Sequence, residues 1–199
     1  MRKVLIVVLL GLFAARAAFA EKKPLLLPHW AHTLPISQGA IELLADAAEQ
    51  SSSVETLLKE LEQTDLVVYV TDVMPRVAGG AISYLAFLSR DATARYVLVR
   101  IDHWQAVSSR ERIALLGHEL QHALEVAAAP EVTDPAGLAR LFRRIGWEGQ
   151  KDRFETEAAR TMGNRVRREL AGGDDRRRAT VVAAHPSSKS ATSAPAARW

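Results

Sequence analysis

The chain of 199 residues contains no cysteine. Disulfide stapling and lipid attachment at a lipobox are thereby excluded, so the fold must hold through its core and through any metal it binds. Net charge is scarce as well once the first residues are set apart. Arg2, Lys3 and Arg16 lie in residues 1–20, where there is no acid, and residues 21–199 carry 23 basic and 23 acidic groups. A formally neutral chain makes no case for nucleic acid, and the triplet Arg176-Arg177-Arg178 has no aromatic neighbours on which bases would stack. A long apolar run is missing too: residues 4–15 fall short of the ~20 that a membrane helix needs.

That short run has a different meaning. Met1-Arg2-Lys3 is a basic start, residues 4–15 are the apolar stretch, and Ala18-Phe19-Ala20 is a small-residue cleavage signal before Glu21. The expectation is a signal peptide over 1–20 and a secreted or periplasmic protein, with no stable membrane insertion after cleavage. From Gly172 onward Gly, Ser, Ala, Thr, Pro and Arg dominate, a composition that buries no core. Residues 172–199 are therefore expected to be a disordered low-complexity tail, which leaves 21–171 as one modest domain.

Within that domain, residues 36–50 and 54–63 read as two helices broken at Ser51-Ser52-Ser53, the first with Ile41, Leu44 and Ala48 at helical spacing. The β-branched run 66–70 reads as a strand. Gly79-Gly80 turns the chain into a second strand ending at Leu88, and the short link at Asp91-Ala92-Thr93 makes an antiparallel hairpin with a third strand over 96–101. Helices follow over 108–127, over 135–145 between Asp134-Pro135 and Gly146, and over 154–170. Trp30, with His29 and His32 nearby, is the expected packing anchor of the lead-in. The fold class is α+β, with a small, mostly antiparallel sheet packed against helices.

The helix over 108–127 contains His118-Glu119-Leu120-Gln121-His122, an H-E-x-x-H run. Four residues apart, His118 and His122 project from one helix face, one turn above the other. Two imidazoles so placed grip a single Zn²⁺, and Glu119 beside them is positioned to take a proton from a water at the metal. Ser108 or Ser109 provides an N-cap, Glu111 a capping-box acid and Pro130 the end. Ile113, Leu116, Leu120, Leu124 and Ala127 form a buried stripe, and Leu115, His118, His122 and Glu125 trace a neighbouring one.

Over these residues the chain resembles the zincin metallopeptidases. The resemblance implies that His118 and His122 bind zinc, one ion per chain, that Glu119 is general base and later proton donor, and that the substrate is a peptide or protein. The longer metzincin motif is absent, because Glu125 and Ala128 stand where its Gly and third His would be. In gluzincins a Glu on a later helix completes the ligand set, and the element order here is similar to a reduced, single-domain form of that fold. The Asp that thermolysin-like gluzincins carry four residues after the ligand Glu is here Ala159, which sets the chain apart from that subgroup. A zincin sheet edge also runs along the cleft and pairs with extended substrate; the segment 79–88 is the candidate for it.

Catalytic zinc takes three protein ligands and keeps one open position. On the helix over 154–170 the apolar face runs Ala159, Met162, Val166 and Leu170, and counting back four from Ala159 reaches Glu155. A carboxylate facing a core must be paired, protonated or bound to metal, so Glu155 is the expected third ligand. Glu157, aligned with Thr161, Asn164 and Arg168 on the wet face, and Glu125, on the histidines' own face, stay as alternatives. For Glu125 the better fit is a hydrogen bond to a ligand imidazole or an ion pair with an arginine. His103, after the third strand, reads first as a simple turn histidine and otherwise as an oxyanion stabiliser, and Tyr84 and Tyr96 are left unassigned. The expectation is a secreted zinc-dependent peptidase. Its competitors are a non-catalytic zinc-stabilised domain and a protein whose motif helix is only structural.

Overall fold

A computed structural model describes residues 30–73, 83–102, 108–148 and 154–184, with side chains up to residue 173. Along the described chain come β1 (Thr33–Pro35), α1 (Gln38–Gln50), α2 (Ser52–Leu61), β2 (Leu66–Thr71), β3 (Ser83–Arg90), β4 (Arg95–Ile101), α3 (Ser109–Ala127) and α4 (Pro135–Ile145). After them come β5 (Trp147–Glu148), β6 (Phe154–Glu155) and α5 (Glu157–Ala184). The fold is α+β.

The sheet corrects one expectation. Its order is β1-β2-β4-β3, with β1–β2 and β2–β4 parallel and β3–β4 antiparallel. It is therefore a mixed sheet and not mostly antiparallel. The expected hairpin is present, but β4 returns from it into the slot beside β2 and runs in the same direction. That pairing joins segments separated by all of β3, so no local pattern announces it. β1 comes from the stretch read as an irregular lead-in, and holds to β2 through Val68 N–H to the His32 carbonyl (2.7 Å) and Ile36 N–H to the Val70 carbonyl (2.9 Å).

Strand alternation sends Leu66, Val68 and Val70 of β2 and Val97, Val99 and Ile101 of β4 to one face of the sheet. Against that face lie Ile113, Leu116 and Leu120 of α3 and Leu43 and Leu44 of α1, while Val54, Leu57, Leu58 and Leu61 of α2 join the same core from the other side of α3. Each such side chain contributes about 1.5–3 kcal/mol by leaving water. Trp30 packs against this core as expected. The helix α3 lies between the sheet, α2 and α5, so the motif it carries sits on the most enclosed helix of the fold.

Local chemistry fixes the helix ends. Ser108 Oγ accepts from Glu111 N–H at 3.2 Å and starts α3. The Glu111 carboxylate, expected to close a capping box, instead takes Arg167 of α5, at 2.8 Å to Nε and 2.5 Å to Nη2. The serine break between α1 and α2 is also explained. Ser51 caps α2, and Glu169 of α5 accepts from Ser51 Oγ (2.6 Å), Ser53 Oγ (2.5 Å) and Ser53 N–H (3.2 Å).

Two boundaries move at the C-terminal end. The last helix starts at Glu157 and not at 154, because Thr156 Oγ1 accepts from Ala159 N–H at 3.1 Å and acts as the cap. Phe154 and Glu155 instead pair with Glu148 and Trp147 in a small hairpin. Helix α5 also runs on through Gly172 and Gly173 to Ala184, so the domain boundary drawn at 171 falls inside a helix. Residues 1–20, read as a signal peptide, and 185–199 lie outside the described residues.

Candidate metal centre

The four-residue spacing on α3 sets the His118 and His122 rings edge to face, with centroids 4.8 Å apart. Glu155 arrives from β6. Its Oε1 is 3.6 Å from His118 Nε2 and 3.9 Å from His122 Nε2. The three potential ligand atoms lie within 4.8 Å of one another and form a group able to hold a metal ion. Bonds of about 2.0–2.1 Å to a tetrahedral ion imply ligand-to-ligand separations of ~3.3 Å, so both His–Glu distances are within ~0.6 Å of that figure. The residue expected as third donor is thus beside the histidines, although it stands before the α5 cap and not on the helix face that pointed to it.

Two glycines make this approach possible. A Cβ on Gly146, at the end of α4, would run into the carbonyl oxygen of Glu155, so only glycine lets β6 lie that close. A Cβ on Gly117, next to His118, would stand 2.8 Å from Val166 Cγ2, and its absence lets α5 close over α3 at the site.

The alternative donors are placed elsewhere. Glu125 Oε2 is 2.8 Å from His122 Nδ1, the ring nitrogen turned away from Glu155, and Glu125 Oε1 accepts from Thr156 Oγ1 at 2.7 Å. Glu125 therefore orients an imidazole, which was its better expected fit. Glu157 is exposed and accepts from Arg160 Nη2 at 2.5 Å. A His122 ring that donates its Nδ1–H to Glu125 keeps the Nε2 lone pair free on the side of Glu155. Two imidazole nitrogens and one carboxylate, with the tautomer set this way, are a donor set that suits Zn²⁺.

Electrostatics follow from burial. Glu119 is fully enclosed, and burial raises its pKa above the ordinary carboxylate range against the opposing pull of His122 and a hydrogen bond from Ser83. His118 is pushed down by burial and by His122, with Glu155 opposing. For His122 burial also pushes down, but the hydrogen bond to Glu125 and the negative charges of Glu119, Glu125 and Glu155 outweigh it and the net shift is upward.

Ser83, Thr156 and Phe142 are site neighbours that the sequence reading did not name. Ser83 opens β3 and reaches Glu119. Phe142 of α4 meets the His122 ring edge to face at 4.9 Å. Thr156 had a signal available, a capping residue three places before buried Ala159. Ser83 and Phe142 had none, since they approach from distant elements. The segment 79–88, expected as a substrate edge, falls partly on β3, an outer strand of the sheet, and 79–82 lie outside the described residues. His103 lies outside them too. Tyr96 donates its hydroxyl to Asp91 at 2.6 Å, at the far end of β4, and Tyr84 lies under the Arg100 guanidinium at 5.7 Å.

Comparison with family models, curated proteins and solved structures gives no match to this chain. Among the described residues no helix is long and apolar enough to cross a membrane.

Proposed function

We propose that the protein is a secreted or periplasmic zinc-dependent peptidase. His118, His122 and Glu155 would hold the ion, and Glu119 would serve as general base. The convergence of three donors beside the buried carboxylate of Glu119 carries this reading. A zinc ion held there supplies Lewis acidity, polarising a peptide carbonyl and bringing the pKa of water toward about 7. Glu119 takes the proton of the attacking water and passes it to the leaving amine. Burial raises the Glu119 pKa, the direction that helps a carboxylate carry a proton between the two halves of that transfer. Ser83 holds the carboxylate, Glu125 holds the His122 ring, and the outer edge of β3 is the surface on which an extended peptide would lie.

The test combines elemental analysis of the purified protein with hydrolysis of a quenched fluorescent peptide mixture, for the wild type and for Glu119→Gln. The reading expects about one zinc per chain in both. It also expects a fall of at least ~10²–10⁴ in turnover for the variant, the usual contribution of a general base. Zinc in both with hydrolysis by neither would leave a non-catalytic zinc-stabilised domain. Failure to take up zinc from excess metal would end the reading.

A further inference from the structure

The last inference rests on the zinc-site reading and concerns how the site is held. We infer that Thr156 is a positioning residue that ties two of the ligands, His122 and Glu155, into one unit. Its hydroxyl donates to Glu125 Oε1 at 2.7 Å, and the other oxygen of Glu125 meets His122 Nδ1 at 2.8 Å. Its backbone N–H donates to Glu155 Oε1 at 2.9 Å, the same oxygen that faces both histidines. The chain of contacts His122–Glu125–Thr156–Glu155 thus joins a ligand on α3 to a ligand on β6.

Each link is needed for a chemical reason. Glu125 is largely enclosed, and a buried carboxylate needs a donor on each oxygen; His122 and Thr156 are those two donors. The Thr156 hydroxyl also accepts from Ala159 N–H at 3.1 Å. A hydroxyl both accepts and donates, so one side chain starts α5 and anchors the imidazole support at once. Four residues after Glu155, Ala159 offers no carboxylate, and the one that steadies an imidazole comes instead from α3 itself. The position of β6 and the orientation of His122 are set together.

The experiment measures zinc affinity by competition with a chromogenic chelator, alongside the Nδ1–H proton resonance of His122 in the metal-free protein. Thr156→Val removes the hydroxyl at constant shape, Thr156→Ser keeps it, and Glu125→Gln breaks the same chain without touching the α5 cap. Thr156→Val and Glu125→Gln are expected to bind zinc ~10–100-fold more weakly, the cost of losing an outer partner of a ligand, and to shift the His122 resonance. Thr156→Ser should stay close to wild type in both readouts. Unchanged affinity and resonance in Thr156→Val or Glu125→Gln would overturn the inference. So would a Thr156→Ser variant as weak as Thr156→Val, since a hydroxyl would then not be what matters. A wild type that binds zinc while these results fail defeats this inference alone; a wild type that binds none defeats the peptidase reading and this one with it.

Discussion

Asp65 grips the guanidinium of Arg95 with both carboxylate oxygens, at 2.8 Å to Nε and 2.6 Å to Nη2. The remaining N–H groups of Arg95 close the end of the motif helix. Nη1 donates to the carbonyls of Val126 (2.9 Å) and Ala129 (2.8 Å), and Nη2 to that of Ala127 (3.0 Å). A buried cation at a helix C-terminus opposes the negative end of its dipole and satisfies carbonyls that have no partner within the helix. Arg95→Met should therefore lower the unfolding free energy by about 3 kcal/mol, read from urea denaturation. Asp65→Asn should cost less, because Asp65 is half exposed and the guanidinium keeps its carbonyls. A loss under ~1 kcal/mol in Arg95→Met would show that water serves these carbonyls equally well.

The third donor can be tested by contrast. Glu155→Ala should weaken zinc binding by more than the ~10–100-fold expected from removing an outer partner. Glu157→Ala, two residues on but turned to Arg160 and solvent, should leave it unchanged. Calorimetric titration of both variants decides between them, and equal effects would remove Glu155 from the ligand set.

Glycine substitutions should separate by position. Gly146→Ala drives a methyl into the Glu155 carbonyl and should lower both the melting temperature and the zinc affinity. Gly172→Ala meets nothing within 4 Å and lies inside α5. It should be neutral or raise stability by up to about 0.5–1 kcal/mol, the usual gain of alanine over glycine in a helix. A Gly146→Ala protein with unchanged zinc affinity would mean that β6 can shift without moving the Glu155 carboxylate.

Acid should dissolve the staple between α5 and the α1–α2 break. Burial raises the Glu169 pKa, but the hydrogen bonds from Ser51 and Ser53 outweigh it and hold the group below its ordinary 4.5. A carboxylate depressed in the folded state adds stability that is complete above its unfolded pKa and disappears as pH falls through its folded one. The difference in melting temperature between wild type and Glu169→Gln should therefore be full at neutral pH, begin to shrink as pH drops past about 4.5, and vanish at lower pH. A difference that grew on acidification would have the wrong sign for this account. Glu111, held down by the hydrogen bond from Arg167, should behave in the same way.

What the sequence revealed followed the range of the interactions involved. The motif helix, its serine cap, the helix after Asp134-Pro135 and the β3–β4 hairpin all depend on residues within a few positions of each other, and each is where local pattern placed it. The parallel pairing of β2 with β4 and the role of Arg95 depend on contacts about thirty residues apart, which no periodicity encodes. Glu155 lies between these cases. Counting along a helix reached a residue beside the histidines, yet that residue precedes the Thr156 cap and belongs to a strand. The count worked because the residue before a cap stays near the helix end whose inner face was being counted. The fate of Glu111 shows the reverse: its capping-box pattern was local and clear, and the longer-range partner Arg167 took the carboxylate.

The bond network of Glu169 with Ser51 and Ser53 also has a bearing on the order of events during synthesis. His118, Glu119 and His122 leave the ribosome well before Glu155, and the first two helices wait longer still for the residue that ties α5 to them. A chain interrupted between these points would present two imidazoles and a carboxylate with one wall missing. If the three donors do hold zinc, full affinity would appear only once the strand carrying Glu155 has joined the histidines, and metal loading would then report that the C-terminal part of the domain has folded.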